Sequence, residues 1–203
     1  MEYRLWVIGC CLLLGTMVWA ADSTKVAEPI YQGVIVKLDI ASPVIQAGIS
    51  KGQLQHYEIA ANVRLKNRFY PTLELGLAGG KANQGDSVYY NAYGGFFRAG
   101  CDINPIRRNP KSPHAMLIGV RIGTGIQAKK TDCWGEVVAG CQVEICKVGK
   151  TAFYMGWQGR LKILFTRQSE NVSAAEMWPI YIPGFGKRSD VGWGASYHLG
   201  WRF

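Results

Sequence analysis

Residues 191–203 read VGWGASYHLGWRF. Val191, Trp193, Ala195, Tyr197, Leu199, Trp201 and Phe203 alternate with Gly192, Gly194, Ser196, His198, Gly200 and Arg202. A strict period of two describes a β-strand with one apolar face and one small or polar face. Chain ends usually fray, yet this alternation runs to the last residue. A terminal strand of that quality needs a partner on each edge, which predicts that it closes a barrel against the first strand.

The rest of the chain repeats the theme. Helical periodicity is nearly absent; alternating runs fall at about 31–40, 55–65, 69–79, 91–103, 115–127, 134–146, 151–165 and 190–203, separated by Gly, Pro, Asn, Asp and Ser. Sorting each run by parity gives one face without a charged residue, carrying for example Leu73, Leu75 and Leu77, then Ile118, Val120 and Ile122, then Leu161 and Ile163. The other face collects Lys37, Asp39, Glu58, Arg64, Glu74, Arg98, Asp102, Arg121, Glu136, Glu144, Arg160, Lys162 and Arg202, diluted by glycine and alanine.

Two architectures use such faces. A soluble sandwich or lipocalin-like barrel turns the apolar face inward, whereas a transmembrane barrel turns it to lipid and keeps a polar interior. Three features favour the second. The runs approach the ~9–11 residues that cross a bilayer when tilted. Aromatic residues (Tyr57, Phe69, Tyr93, Phe153, Phe165, Trp193, Trp201, Phe203) stand at the ends of the apolar face, as in interfacial girdles. Acids and bases on the polar face nearly balance, as pairing in a lumen requires. With both ends in the periplasm, odd links are expected to be long and even links short. The links after the first, third and seventh runs have about 14, 11 and 24 residues, and those after the second and sixth about three and four. The fourth, NPIRRNPKSPH (104–114), is too long for a tight turn, and the fifth, about six residues, too short for a surface loop. The fold expected is therefore an all-β, eight-stranded, antiparallel up-and-down transmembrane β-barrel.

Residues 1–20 read as a secretory signal peptide, with an apolar stretch from Leu5 to Trp19 and small residues at Val18 and Ala20 before the cut, leaving 21–203 as the barrel domain. A lipoprotein signal ending at Cys10 is the alternative, but only about five apolar residues precede that cysteine, short of the ~7–15 such signals use. Glu2 and Arg4 cancel, so the exported chain keeps the full charge of +9. An exported protein without a basic helix or run is not a nucleic-acid binder; anionic lipid and lipopolysaccharide phosphate are the counter-charges expected. Cys101, Cys133, Cys141 and Cys146 survive processing. Cys133 and Cys141 lie far apart on one strand, and Cys101 and Cys146 fall two strands apart on opposite faces, so no disulfide is expected. No Cys-x-x-Cys pair with partner histidines indicates zinc, and neither a metal nor a cofactor is expected.

YQGVIVKLDIASPV (31–44), VRLKNRFYPTLELGLAGG (63–80), FFRAGCDIN (96–104), FYMGWQGRLK (153–162) and YIPGFGK (181–187) resemble an uncharacterised family of small outer-membrane barrels of Gram-negative bacteria, a domain of unknown function. The resemblance implies fold and outer-membrane location and brings no catalytic residues with it. The alternating Ala195, Tyr197, Leu199, Trp201 and Phe203 also resemble the C-terminal signal by which the barrel-assembly machinery recognises such proteins.

Function is less legible. Eight strands leave a lumen only wide enough for side chains, so the interior charges read as a paired plug; a narrow anion path along Arg98, Arg121 and Arg160 is the channel alternative. His198 and Ser196, with Asp102 near, give an enzymatic alternative of the lipid A acylase or deacylase type, but residues two apart on a strand stand ~6–7 Å from each other, beyond hydrogen-bond reach. His56 and His114 read as solvated link residues without partners. In the last link, Trp178, Tyr181, Pro183 and Phe185 crowd the external mouth, where they cap the barrel or contact a glycan, lipopolysaccharide or a protein. The basic link 104–114 reads as a solvated turn, with lipid phosphate or a periplasmic partner as its alternative contacts. The reading that results is a non-enzymatic barrel of envelope structure or surface recognition.

Overall fold

The computed structural model describes residues 29–44, 54–84, 87–106, 112–127, 130–165 and 191–203. The elements are β1 (Tyr31–Asp39), β2 (Leu54–Leu65), β3 (Phe69–Gln84), β4 (Ser87–Ile103), β5 (Ala115–Gln127), β6 (Lys130–Val148), β7 (Thr151–Leu164) and β8 (Val191–Arg202). Each pairs antiparallel with its neighbours in chain order and β8 returns to β1, so the sheet is a closed eight-stranded barrel. A single helical turn at 41–44 follows β1, its first amide donating to Asp39 Oδ1 at 3.1 Å.

The wall is built as the alternation requires. Leu75 and Val120 are 55% and 53% exposed on its outside, whereas Arg98 is 0% and Arg121 2% exposed inside. Between the aromatic residues at the strand ends, no Asp, Glu, Lys or Arg among the described residues takes an outward position. This is the arrangement opposite to a water-soluble pouch, in which charge would face out.

The closing seam explains why the last strand keeps its alternation to the end. Ile35 pairs Arg202, Val36 pairs Trp201 and Asp39 pairs His198. Phe203 N–H donates to the Val34 carbonyl at 3.0 Å and Val34 N–H to the Phe203 carbonyl at 3.3 Å, so the final residue is inside the ladder. Gly33 makes this possible: β1 shifts register between Tyr31 and Val34, Gly33 has φ of +113°, and a Cβ there would collide with the Phe203 carbonyl oxygen. At the same end, Lys66 and Asn67 adopt φ of 49° and 48° in a tight β2–β3 hairpin turn, closed by Arg68 N–H donating to the Leu65 carbonyl at 2.9 Å.

Two expectations need correction. The β3–β4 and β5–β6 links shrink to residues 85–86 and 128–129 because the ladders run on, with Lys81 opposite Asn91 and Gly125 opposite Asp132. Backbone pairing continues through polar residues once a hairpin is in register, so polarity marked neither strand end. In β6 a bulge between Glu144 and Cys146 sets Cys146 opposite Phe153, which returns Cys146 to the outward side instead of the face opposite Cys101. All four described cysteines are free.

The seam can be probed through its glycine. We expect Gly33→Asn to cost about 2–3 kcal/mol in urea unfolding of the refolded chain, because φ of +113° and the Phe203 contact both reject a side chain. Gly149→Asn, at φ of +61° in open space, should cost less than about 1 kcal/mol. Equal losses would mean that the seam is not a constraint.

Candidate functional site

The lumen gathers the charged face into one lattice. Glu58 (β2), Glu74 (β3) and Glu136 (β6) lie under the guanidinium groups of Arg98 (β4) and Arg160 (β7). Arg160 reaches Glu58 at 2.7 Å, Glu74 at 2.9 Å and Glu136 at 3.7 Å. Arg98 pairs with Glu58, with Glu74 at 2.8 Å and with Glu136 at 3.3 Å. Arg121 (β5) grips Asp102 through two bonds of 2.6 and 2.8 Å and leans on Glu74 at 3.3 Å. Lys162 adds a contact to Glu136 at 3.5 Å. Planar guanidinium forks suit this sharing, since each carries several donors in fixed geometry.

Aromatic groups cap the lattice toward the end where β1 stops and β2 begins. Phe96, Trp134 and Ala78 form a buried cluster, with Leu164 packed on it. Trp134 Nε1–H donates to Glu136 at 2.7 Å, the Arg98 guanidinium sits 4.7 Å from the Phe96 ring centre, and His56 stacks on Phe96 at 5.4 Å. At the opposite end Arg64 donates to Gln32 at 2.9 Å and to the Ser112 carbonyl at 2.8 Å, while Asn67 accepts from the Tyr70 hydroxyl. Glu144 accepts from the Tyr154 hydroxyl at 2.8 Å and pairs with Arg202 at 3.5 Å in the half-buried mouth. Ile35, Tyr70, Ala115 and Leu117 pack beside this floor. Two interior voids of about 10 Å³ each, one beside Lys37 and His198 and one beside His56 and Lys162, have room for a single water apiece.

Of the lumen residues read from sequence, Lys37, Asp39, Glu58, Arg64, Glu74, Arg98, Asp102, Arg121, Glu136, Arg160 and Lys162 are buried, with Glu144 and Arg202 at the rim. Ala195, Tyr197, Leu199, Trp201 and Phe203 face outward on β8. The signal segment 1–20 and the loop residues Trp178, Tyr181, Pro183 and Phe185 lie outside the described residues.

The histidines depart from expectation. His56 is not solvated: it shares the inward parity of Glu58 and is buried, its Nδ1 3.8 Å from Asp39 and its Nε2 3.8 Å from Glu58. His114 is exposed but has a partner, accepting at Nδ1 from the Glu144 amide at 3.2 Å. No catalytic triad assembles around His198. Asp102 gives both oxygens to Arg121, Ser196 Oγ accepts from Arg160 at 3.3 Å, and His198 Nε2 has no hydrogen-bond partner.

Asp39, His56 and Glu58 offer donor atoms within 4.8 Å of one another, a grouping that sequence reasoning misses when it assigns His56 to a link. A cation fits poorly there. Both Glu58 oxygens are held by Arg98 and Arg160, and the two imidazole nitrogens face different carboxylates instead of converging. The interior aromatics Tyr70, Phe96, Trp134 and Tyr154 also escape the sequence reading, although their parity with Glu74, Arg98 and Glu136 is the signal that marks them.

A larger depression, about 520 Å³, lies on the outer wall over Gly95, between Tyr57, Ile59, Leu75, Leu77 and Phe97. The molecule is thus a closed antiparallel β-barrel with an ion-paired, side-chain-filled lumen and an apolar exterior. It belongs to the family described as Domain of unknown function (DUF6048), whose model matches residues 5–132 and 124–202. No curated protein and no solved structure matches the chain.

The lattice makes a sharp energetic statement. Removing one member of a buried charged network leaves its partners unpaired, so Arg121→Ala should cost about 3–5 kcal/mol in equilibrium unfolding. Adding Asp102→Ala to that variant should recover about 2 kcal/mol, because the stranded carboxylate leaves with it. Strict additivity of the two losses would show that the pair is not coupled.

Proposed function

We propose that the protein is an integral barrel of a Gram-negative outer membrane that serves envelope structure or surface recognition through its loops, without catalysis. The observation that carries this reading is the inverted wall: charge within, an uncharged apolar band outside. No helix among the described residues is long and apolar enough to cross a membrane, but barrels cross with strands.

The dimensions support it. Along β8, Trp193 to Trp201 rises about 27 Å, and along β7, Phe153 to Phe165 about 41 Å, at roughly 3.4 Å per residue. Tilted by about 40°, these become about 21 and 31 Å, bracketing the ~25 Å apolar band of outer-membrane barrels. The two aromatic levels then lie where interfacial girdles belong. The outer groove over Gly95 offers an apolar seat for an acyl chain. Lipids, lipopolysaccharide and the barrel-assembly machinery are the partners this reading implies, with glycan or protein contacts left to the outer loops.

The filled lumen argues against the channel alternative, since among the described residues the voids beside Lys37 and beside Lys162 are only about 10 Å³ each. The lipid-modifying alternative would need a carboxylate and a serine that are engaged elsewhere, by Arg121 and Arg160.

One substitution separates a bilayer barrel from a soluble one. Val120→Arg places a charge on an outward position that is already 53% exposed. In water such a change should fall within about ±0.5 kcal/mol. In a bilayer it should cost about 2–4 kcal/mol near the midplane. We expect the larger loss when the chain is unfolded from lipid vesicles, together with heat-modifiable migration in the membrane fraction; a neutral Val120→Arg and recovery in the soluble fraction would end the proposal.

A further inference from the structure

The two ends of the barrel differ in charge. At the end that holds the C-terminus, the β2–β3 turn carries Lys66 and Arg68 and the β6–β7 turn carries Lys147 and Lys150, with no Asp or Glu in 65–73 or 145–153. Lys66, Lys147 and Lys150 are exposed, and Arg68 is half-buried with its guanidinium 5.5 Å from the Phe69 ring centre. The nearby side-chain acid, Glu144, is already held by Arg202 and the Tyr154 hydroxyl. At the opposite end acids and bases mix, as in Lys130 and Asp132 at the start of β6.

The position of this rim matters as much as its sign. Arg68 precedes the outward Phe69, and Lys147 and Lys150 lie just beyond Phe153 at the end of the hairpin. If those aromatics mark the interface, the cations stand one step further out, at the depth of lipid headgroups. A cation there gains ~1 kcal/mol from an anionic surface, with salt-dependent range.

We propose that this basic rim binds the anionic phospholipid headgroups of the leaflet at the C-terminal end of the barrel, anchoring its depth and orientation. The inference rests on the membrane reading above and adds to it a lipid class and a site. The four bases act together as a shallow electrostatic collar, and the Arg68–Phe69 stack holds one of them at the interface.

The test refolds the full mature chain into phosphatidylcholine vesicles with and without phosphatidylglycerol, at low and high salt, beside the variant K66Q/R68Q/K147Q/K150Q. Folding is read by heat-modifiable migration and urea titration. Phosphatidylglycerol should shift the wild-type equilibrium toward the folded state by about 100-fold or more at low salt. High salt or the quadruple substitution should reduce that shift below about tenfold. In pure phosphatidylcholine the variant should match wild type, which shows that it folds. An equal response of variant and wild type to phosphatidylglycerol overturns the rim assignment while leaving the membrane reading intact. A detergent-folded wild type that, unlike the variant, binds a soluble polyanion but gains nothing from phosphatidylglycerol also overturns it, in favour of a soluble acidic partner. A chain that folds in water and inserts into neither vesicle overturns both readings.

Discussion

The lattice of Glu58, Glu74 and Glu136 with Arg98, Arg121 and Arg160 is the interaction on which the rest of the structure depends. These side chains come from six different strands; Arg98 and Glu74 face each other on neighbouring strands, but the pairs of Arg160 with Glu58 and Glu74 and of Arg98 with Glu58 and Glu136 exist only once the sheet has curved. In an open sheet Glu58 would lose both of its arginines, and a buried unpaired charge costs several kcal/mol. Closure therefore completes a neutralisation that neighbouring strands begin. The tight fit adds a steric condition, met where Gly76 and Gly123 leave room for the Phe96 and Trp134 rings.

The seam completes the same logic from the backbone side. A barrel has no edge only if its first and last strands find each other over their full length. Here the reciprocal bonds between Val34 and Phe203 bring the terminal residue into the ladder, and the Gly33 kink lets the chain ends pass. Asp39 reinforces the join from within, accepting from the Tyr197 amide at 3.3 Å across the seam.

Parity makes most of this legible in the amino-acid sequence alone. Because side chains alternate strictly, assigning Glu58 to the interior also commits His56, Ala60, Asn62 and Arg64 to it. A histidine near a run's start looks like a link residue, but the parity of His56 already places it inside. Parity cannot supply the length of a hairpin or the presence of a bulge. Lys81 to Gln84 carry no apolar signal, yet they pair because the ladder is a backbone property. The extra residue before Cys146 leaves no trace in composition, and it reverses the face of every later residue in β6. Nor does sequence reveal which of several acids each arginine takes: that Arg121 holds Asp102 while Arg160 holds Glu58 is set by strand stagger around the barrel.

A lumen filled this completely constrains where function can reside. The interior acids and arginines of the lattice are committed to one another, and the two voids of about 10 Å³ among the described residues admit no substrate. The outer wall and the two ends remain available for recognition. The wall is uniform and apolar, suited to a fluid hydrocarbon surround more than to a single ligand. The ends are not equivalent: one presents the β2–β3 and β6–β7 turns, whose charged residues are all bases, beside the longer β4–β5 link, and the other extends the β3–β4 and β5–β6 hairpins and carries the long connection from β7 to β8. On the membrane reading proposed above, a rigid barrel with one charged collar and one elaborated rim would hold its loops at a fixed height above a surface. Within the family, change in function is accordingly expected in those loops, with the lumen lattice kept because closure requires it.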